Sequence, residues 1–148
     1  MTLYEEITTQ WIPLAKMESA SEEVYRERIE KAYSVSLPHQ ILTKVPYVGS
    51  TEIVEYRYSE LIGLCPITFL PDLYDLTIRF IPEKYVPELK TLKYYFMDYL
   101  KIPISHEHLA NRIYRDFQTQ ITPKQIYLYM KTAIRGGIET NIEIGEKI

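Results

Sequence analysis

The sequence predicts an α+β domain in which an antiparallel sheet of four strands carries two helices on one face. The first observation is that apolar and polar residues alternate in four stretches, as they do in half-buried strands. The second is that apolar residues recur at helical spacing in two stretches between the second and third of these. The order strand, strand, helix, helix, strand, strand predicts the sheet, and a helical N-terminal extension precedes it.

Each core element has its own pattern, and the pattern gives its bounds. The predicted elements are strand one (Glu52–Tyr58), strand two (Tyr74–Ile81), a helix over Val86–Leu100, a second helix capped by Ser105, and a hairpin of strands over Ile126–Lys131 and Ile138–Ile144. The predicted core positions are Leu76, Ile78, Phe80, Leu89, Leu92, Phe96, Tyr99, Leu109, Ile113, Phe117, Ile126, Leu128 and Met130.

Residues 1–49 are predicted to form the helical extension and a connector, and residues 50–148 the main domain. The extension contains two helices, and Ser19 is placed to cap the second of them. The apolar positions of the first helix are Leu3, Ile7 and Trp11. His39 lies in the connector and is interpreted as a solvated side chain.

Composition excludes several classes of protein. With 17 basic and 20 acidic residues, the chain lacks the positive charge of a nucleic-acid-binding protein, and no stretch stays apolar over the ~18 residues of a membrane span. Cys65 is the single cysteine, which excludes an internal disulfide and a cysteine-rich zinc site, and no metal is expected. We therefore expect a cytoplasmic protein without a nucleic-acid or membrane partner. The 14 tyrosines favour self-association.

The segment between strands one and two contains the residues that indicate chemistry. Cys65 has a glycine and two prolines around it, so it is predicted on a constrained loop, and Asp72 follows seven residues later. A nucleophilic cysteine needs a group that moves protons, and Asp72 is close enough in sequence to fold back and supply one. His106 and Glu107 add an ionisable pair in the first turn of a helix. A structural interpretation fits equally: a small buried cysteine and a pair that complements the helix dipole.

Four motifs carry a family resemblance. They are the loop Cys65-Pro66-Ile67-Thr68-Phe69-Leu70-Pro71-Asp72, the helix segment Glu88-Leu89-Lys90-Thr91-Leu92-Lys93-Tyr94-Tyr95, the triplet Ser105-His106-Glu107 and the turn Arg135-Gly136-Gly137. Through them the sequence resembles the NADPH-dependent 7-cyano-7-deazaguanine reductases of queuosine biosynthesis, in their short, single-module form. Phe69-Leu70 stand where many members of that family carry Gly-Gln.

The resemblance implies the tunnelling fold, whose subunits join their sheets into rings. It implies a homo-oligomer of two stacked pentameric rings, a decamer, with active sites at subunit borders. The implied reaction reduces the nitrile of 7-cyano-7-deazaguanine to an amine with two NADPH through a cysteine thioimidate.

Residue roles follow from the same resemblance. It implies that Cys65 is the nucleophile, that Asp72 is the proton donor, and that His106 holds or protonates the substrate. Substrate binding is implied for Pro87, Glu88, Leu89, His106 and Glu107, and cofactor binding for Lys90, Lys93, Arg135 and Gly136.

Two other functions stay open at this point. One is an archaeosine-type amidine synthase that acts on the same nitrile within tRNA, and the other is a catalytically silent tunnelling-fold binding protein. The amidine-forming enzymes lack the Glu-x-Lys-x-x-Lys helix, which this chain retains at Glu88, Lys90 and Lys93, so the reductase is preferred.

Overall fold

The computed structural model describes residue 2, residues 21–134 and residues 136–148. The helices are α1 (Glu22–Ser34), α2 (Leu89–Met97) and α3 (His106–Ile121), with a 3₁₀ helix (Asp98–Lys101) after α2. The strands are β1 (Lys44–Pro46), β2 (Val54–Leu64), β3 (Pro71–Ile81), β4 (Tyr85–Pro87), β5 (Gln125–Thr132) and β6 (Asn141–Gly145). The main sheet is antiparallel in the order β2-β3-β5-β6, and β1 pairs with β4 in a small second sheet. The predicted α+β order is confirmed.

The helices cover one face of the main sheet. Leu76, Ile78 and Phe80 alternate along β3 onto this face and are fully buried, as their spacing predicts. Phe117 of α3 packs edge-on against Phe80, with ring centroids 5.0 Å apart. Each such side chain stabilises the fold by ~1.5–3 kcal/mol through burial. The core therefore lies between β3, the centre of the sheet, and α3.

Helix α2 begins later than the sequence predicts. Val86 and Pro87 belong to β4, because a residue before proline is biased towards an extended backbone and Val86 pairs with Val45. Leu89 was predicted in the core, but it is 59% exposed because it is the first residue of the shortened helix. The rest of the predicted stripe (Leu92, Phe96 and Tyr99) is buried.

The extension and the connector pack against the main domain. Helix α1 is capped by Ser21, whose Oγ accepts a hydrogen bond from the Val24 amide, so the predicted cap at Ser19 is wrong. Buried Arg112 of α3 donates to the carbonyl oxygens of Ala32 and Val35 at 3.0 and 2.6 Å, and so holds the C-terminus of α1. The first predicted helix, around Leu3, Ile7 and Trp11, lies outside the described residues.

His39 is more than a solvated connector side chain. Its amide donates to Asp98 Oδ2 at 2.6 Å, and its Nδ1 lies 2.9 Å from Asp98 Oδ1. Its ring also packs against Tyr94, with centroids 5.1 Å apart. These contacts fasten the connector to α2 and the 3₁₀ helix, which the sequence could not indicate because the partners lie about sixty residues away. The boundary at residue 49 stays a prediction.

The last hairpin is shorter than predicted. Gly136 and Gly137 have φ values of 58° and 80°, so the turn uses left-handed conformations that suit glycine. Ile138 is 70% exposed, and β6 begins at Asn141. The alternation of apolar and polar residues thus predicted this strand correctly, but the predicted start at Ile138 is three residues too early.

Candidate active site

Cys65 lies on a tight loop directly after β2 and is partly exposed. Two backbone hydrogen bonds close this loop: the Cys65 amide donates to the Leu70 carbonyl, and the Phe69 amide donates to the Cys65 carbonyl, both at 2.9 Å. The loop prediction is confirmed. The backbone of Cys65 therefore has a fixed position relative to the sheet.

A second set of backbone bonds ties this end of β2 to the entrance of α3. The Leu64 amide donates to the Ile102 carbonyl, and the Ile104 amide donates to the Leu64 carbonyl, both at 3.0 Å. Cys65 follows Leu64 directly, and His106 follows Ile104 by two residues. Two residues far apart in sequence are therefore held on neighbouring segments.

Asp72 lies at the same end of the sheet, but not on the connecting loop where it was predicted. It is the second residue of β3, it pairs with Gly63 of β2, and it is only 4% exposed. The strand extends further than predicted because β2 runs on to Leu64 and gives Pro71 and Asp72 backbone partners. The carboxylate belongs to a strand, which fixes it more firmly than a loop would.

Tyr74 connects this strand to His106. Its hydroxyl oxygen lies 2.8 Å from His106 Nδ1, and the two rings meet nearly edge-on with centroids 5.4 Å apart. Tyr74 follows Asp72 on the same face of β3 and is buried, with 2% exposure. The sequence prediction missed it. The available signal was a side chain with a polar tip on the buried face, next to the cysteine loop.

The first turn of α3 contains His106, Glu107 and His108. Ser105 is the N-cap residue as predicted, but its hydroxyl lies 2.6 Å from His108 Nδ1 instead of capping a backbone amide. Glu107 is exposed. Its side chain is thus free of the packed core and accessible from solution.

The predicted substrate segment lies where β4 passes into α2. Both carboxylate oxygens of Glu88 cap the helix by accepting hydrogen bonds from the amides of Lys90 and Thr91 at 2.8 and 2.9 Å. The bond from Thr91, and then that from Lys90, hold the pKa of Glu88 below its ordinary value. Pro87 is buried, whereas Leu89 is exposed.

The predicted cofactor residues that the structure describes lie on two elements, α2 and the turn between β5 and β6. Lys90 and Lys93 are both exposed on α2. Lys93 lines a largely apolar cavity of about 530 Å³ between β2, β3 and α2. The other lining residues are Tyr58, Ser59, Glu60, Leu61, Ile62, Leu73, Phe96, Met97 and Leu100. Gly136 lies in the turn between β5 and β6, and Arg135 lies outside the described residues.

A smaller cavity of about 210 Å³ lies beside the cysteine loop. Pro66 lines it from that loop, and Ser105 and His108 line it from the start of α3. Tyr25, Arg28 and Ile29 of α1 complete the wall, so the extension reaches the neighbourhood of Cys65. Within the described residues, no group of histidine, cysteine and carboxylate side chains suits a metal ion, and no helix has the length and hydropathy of a membrane span.

Comparison with known proteins assigns the chain to a family. The family model described as QueF-like protein matches residues 71–147, which is just over half of the chain. The NADPH-dependent 7-cyano-7-deazaguanine reductase of Thermoanaerobacter pseudethanolicus is 40% identical over 116 residues, covering 78% of this chain and 83% of that protein. The chain belongs to this reductase family. The reductase of the same name from Caldanaerobacter subterraneus is also 40% identical, over 78% of this chain and 82% of its own length.

A solved structure confirms the tunnelling fold. The apo crystal structure of an archaeosine synthase QueF-Like superposes with a TM-score of 0.60 and covers 65% of this chain and 94% of its own. Its sequence identity to this chain is 21%, so the likeness concerns the fold alone. The family predicted from the four motifs is thus confirmed, as is the fold that the resemblance implied.

Proposed function

We propose that this chain is an NADPH-dependent nitrile reductase, which converts 7-cyano-7-deazaguanine to 7-aminomethyl-7-deazaguanine in queuosine biosynthesis, in the cytoplasm. The observation that carries the proposal is the sheet end where Cys65, Asp72 and His106 lie on adjoining segments. Family membership supports the same substrate, because the curated relatives bear this activity in their names.

The chemistry begins at Cys65. Its thiolate adds to the nitrile carbon, a carbon–sulfur bond forms, and one π pair of the nitrile moves to the nitrogen. Asp72 takes the proton from the Cys65 thiol and passes it to this nitrogen, which gives a covalent thioimidate. After the first reduction Cys65 leaves as the thiolate when the carbon–sulfur bond breaks, and the substrate remains as an imine.

NADPH supplies the two hydrides that the conversion of a nitrile to an amine requires, one from each of two molecules. The chain has residues that fit it: Lys93 lies at an apolar cavity of about 530 Å³, and Lys90 is exposed one turn earlier on α2. Ligand pockets are commonly ~300–1,000 Å³ with apolar walls and few polar groups. The two ammonium groups suit phosphates, and the cavity walls suit an aromatic ring.

The substrate is held by the first turn of α3 and the start of α2. Glu107 is exposed and its carboxylate can accept hydrogen bonds from the N–H groups of a guanine-type ring. His106 is beside it, with Nδ1 bonded to Tyr74. Cys65 and His106 are not among the residues that line the cavity at Lys93. This separation supports a site that is completed at the border with a second subunit.

The test is a reduction assay with purified protein, 7-cyano-7-deazaguanine and NADPH. We expect two NADPH to be oxidised for each aminomethyl product, in the absence of RNA. Formation of an amidine on nitrile-containing tRNA, with no NADPH oxidation, would replace the proposal by the amidine synthase alternative. Tight binding of the nitrile with neither reaction would indicate a binding protein.

A further inference from the structure

The contact between Tyr74 and His106 is built into the sheet rather than into a surface loop. Tyr74 lies in β3 between two paired strands, opposite Leu61 of β2 and Thr132 of β5. Gly63 of β2 borders its ring: a Cβ atom at that position would lie 3.5 Å from Tyr74 Cε2, an ordinary van der Waals contact. The backbone and the ring of Tyr74 are therefore both held in place, and this fixes the position of its hydroxyl relative to His106.

We propose that Tyr74 is a positioning residue that holds His106 with its proton on Nε2. The proposal rests on the proposed function, in which His106 contacts the substrate. Tyr74 itself touches the imidazole and acts through it.

The direction of the hydrogen bond follows from the acidity of the two groups. A phenol is a stronger hydrogen-bond donor than a neutral imidazole N–H, and an imidazole nitrogen is a stronger acceptor than a phenol oxygen. The Tyr74 hydroxyl therefore donates to His106 Nδ1, over the observed 2.8 Å. A neutral imidazole has one N–H and one acceptor nitrogen, so its proton must then be on Nε2.

This arrangement decides what His106 offers a ligand. Nε2–H is a donor, so it suits an acceptor atom such as a ring carbonyl oxygen or a nitrile nitrogen. A free imidazole would exchange between two tautomers and two ring orientations, and only one of these would present the donor. Tyr74 thereby selects substrates that bring an acceptor to this position, and it removes the need to reorient His106 during binding.

The direct test is the tautomer of His106, measured by ¹⁵N NMR of the histidine rings in the substrate-free protein. The chain has three histidines, and His106→Gln identifies the resonances of His106. In the wild-type protein we expect the Nε2–H tautomer, and in Tyr74→Phe a mixture of tautomers. An Nδ1–H tautomer in the wild-type protein would overturn the proposal without any variant, even if Tyr74→Phe failed to fold.

A kinetic test compares Tyr74→Phe with a matched control variant, Tyr99→Phe. Tyr99→Phe also removes one buried hydroxyl, which lies 2.7 Å from the Tyr95 hydroxyl and away from His106. We expect Tyr74→Phe to lower kcat/KM for the nitrile about tenfold, mainly through KM, and Tyr99→Phe to leave kcat/KM and the His106 tautomer unchanged. Unchanged tautomer and kcat/KM in Tyr74→Phe would refute the positioning role. Failure of the wild-type protein to oxidise NADPH would instead refute the proposed function, since the tautomer is measured without substrate.

Discussion

Phe69 shows how a single residue is fitted into the cysteine loop. Its φ is 57°, a left-handed conformation that costs a residue with a side chain roughly 1–2 kcal/mol relative to glycine. In the family that the cysteine-loop motif resembles, many members carry glycine at this position. In this chain the ring is buried, with 3% exposure, and burial of a phenylalanine contributes ~1.5–3 kcal/mol. Burial thus offsets the strain, and the Phe69 amide still donates to the Cys65 carbonyl.

The strain at Phe69 predicts that glycine destabilises the protein less than alanine at this position, the reverse of the usual order. Phe69→Ala loses the ring and keeps the strain, whereas Phe69→Gly loses the ring and relieves the strain. Urea unfolding should therefore find Phe69→Gly more stable than Phe69→Ala by about 1 kcal/mol.

Phe96 provides the control for this ranking, because it is equally buried but lies within a helix. There alanine should be more stable than glycine by about 1 kcal/mol, the usual order in a helix interior. The same order at Phe69 as at Phe96 would contradict the account of strain in the loop.

At the scale of elements, the cap of α2 makes the helix sensitive to acid. Hydrogen bonds from the Thr91 and Lys90 amides lower the pKa of Glu88 in the folded protein. A lowered folded-state pKa contributes stability that is fully present above the unfolded-state value of about 4.3, and this stability is lost as the pH falls through the folded-state pKa.

We therefore expect Glu88→Gln to lower the melting temperature at pH 7. The difference from the wild-type protein should shrink as the pH is lowered below about 4, because both side chains are then neutral. Glu146→Gln, an exposed carboxylate outside the strands and helices, should show little difference at either pH. A difference for Glu88→Gln that is independent of pH would show that the carboxylate charge does not stabilise the cap.

Substitutions on α2 should weaken cofactor binding without preventing bond formation between Cys65 and the nitrile. Lys90 and Lys93 are exposed on α2, so their change to alanine should leave the core intact. The double variant should raise the KM for NADPH about tenfold or more, since each lost charged contact is worth ~1.5–3 kcal/mol, while Cys65 still forms its adduct.

The control for the lysine pair removes the same charge elsewhere. Lys101 and Lys147 are also exposed, and their double change to alanine should leave the KM for NADPH unaltered. Equal weakening of NADPH binding and of adduct formation in the Lys90 and Lys93 variant would argue that α2 serves the substrate or the fold instead.

At the scale of the whole molecule, exposed apolar side chains gather at one outer strand. Leu73, Met97 and Leu100 are 53%, 48% and 43% exposed, and all three line the cavity that Lys93 borders beside β2. β2 and β6 are the outer strands of the main sheet. A cluster of this kind beside an outer strand is typical of a surface that a partner covers.

We predict that a second copy of the chain packs against this surface and closes the cofactor cavity, and that the single subunit is inactive. Leu100→Glu should shift the mass measured by light scattering towards the monomer and should lower activity in parallel. Val48→Glu places the same charge at a side chain that is 97% exposed, and it should change neither. Full specific activity in a species of monomer mass would contradict the shared site.

Local patterns predicted the parts of this fold that local forces decide. The alternation of Leu76, Ile78 and Phe80 placed β3 and its buried face correctly, because period-two burial is a property of the strand itself. The Cys65 loop was also predicted correctly, since Pro66 cannot continue the strand pairing there, although Gly63 and Pro71 lie within β2 and β3.

Several of the errors concern contacts between distant segments. Asp72 joins β3 only because Gly63 pairs with it, and β1 exists only because β4 lies opposite. Tyr74 acquires a role only because the Leu64 hydrogen bonds bring the start of α3, and with it His106, beside the sheet. No periodicity within the sequence contains this information.

Addition of Cys65 to the nitrile can be measured by the intact mass of the protein after incubation with 7-cyano-7-deazaguanine alone. Addition loses no atoms, so the wild-type protein should gain the whole mass of one nitrile, together with the absorbance of a thioimidate. Cys65→Ala should fold normally and gain no mass. An adduct that persists in Cys65→Ala, or a wild-type protein that turns over NADPH and nitrile without forming an adduct, would contradict the account.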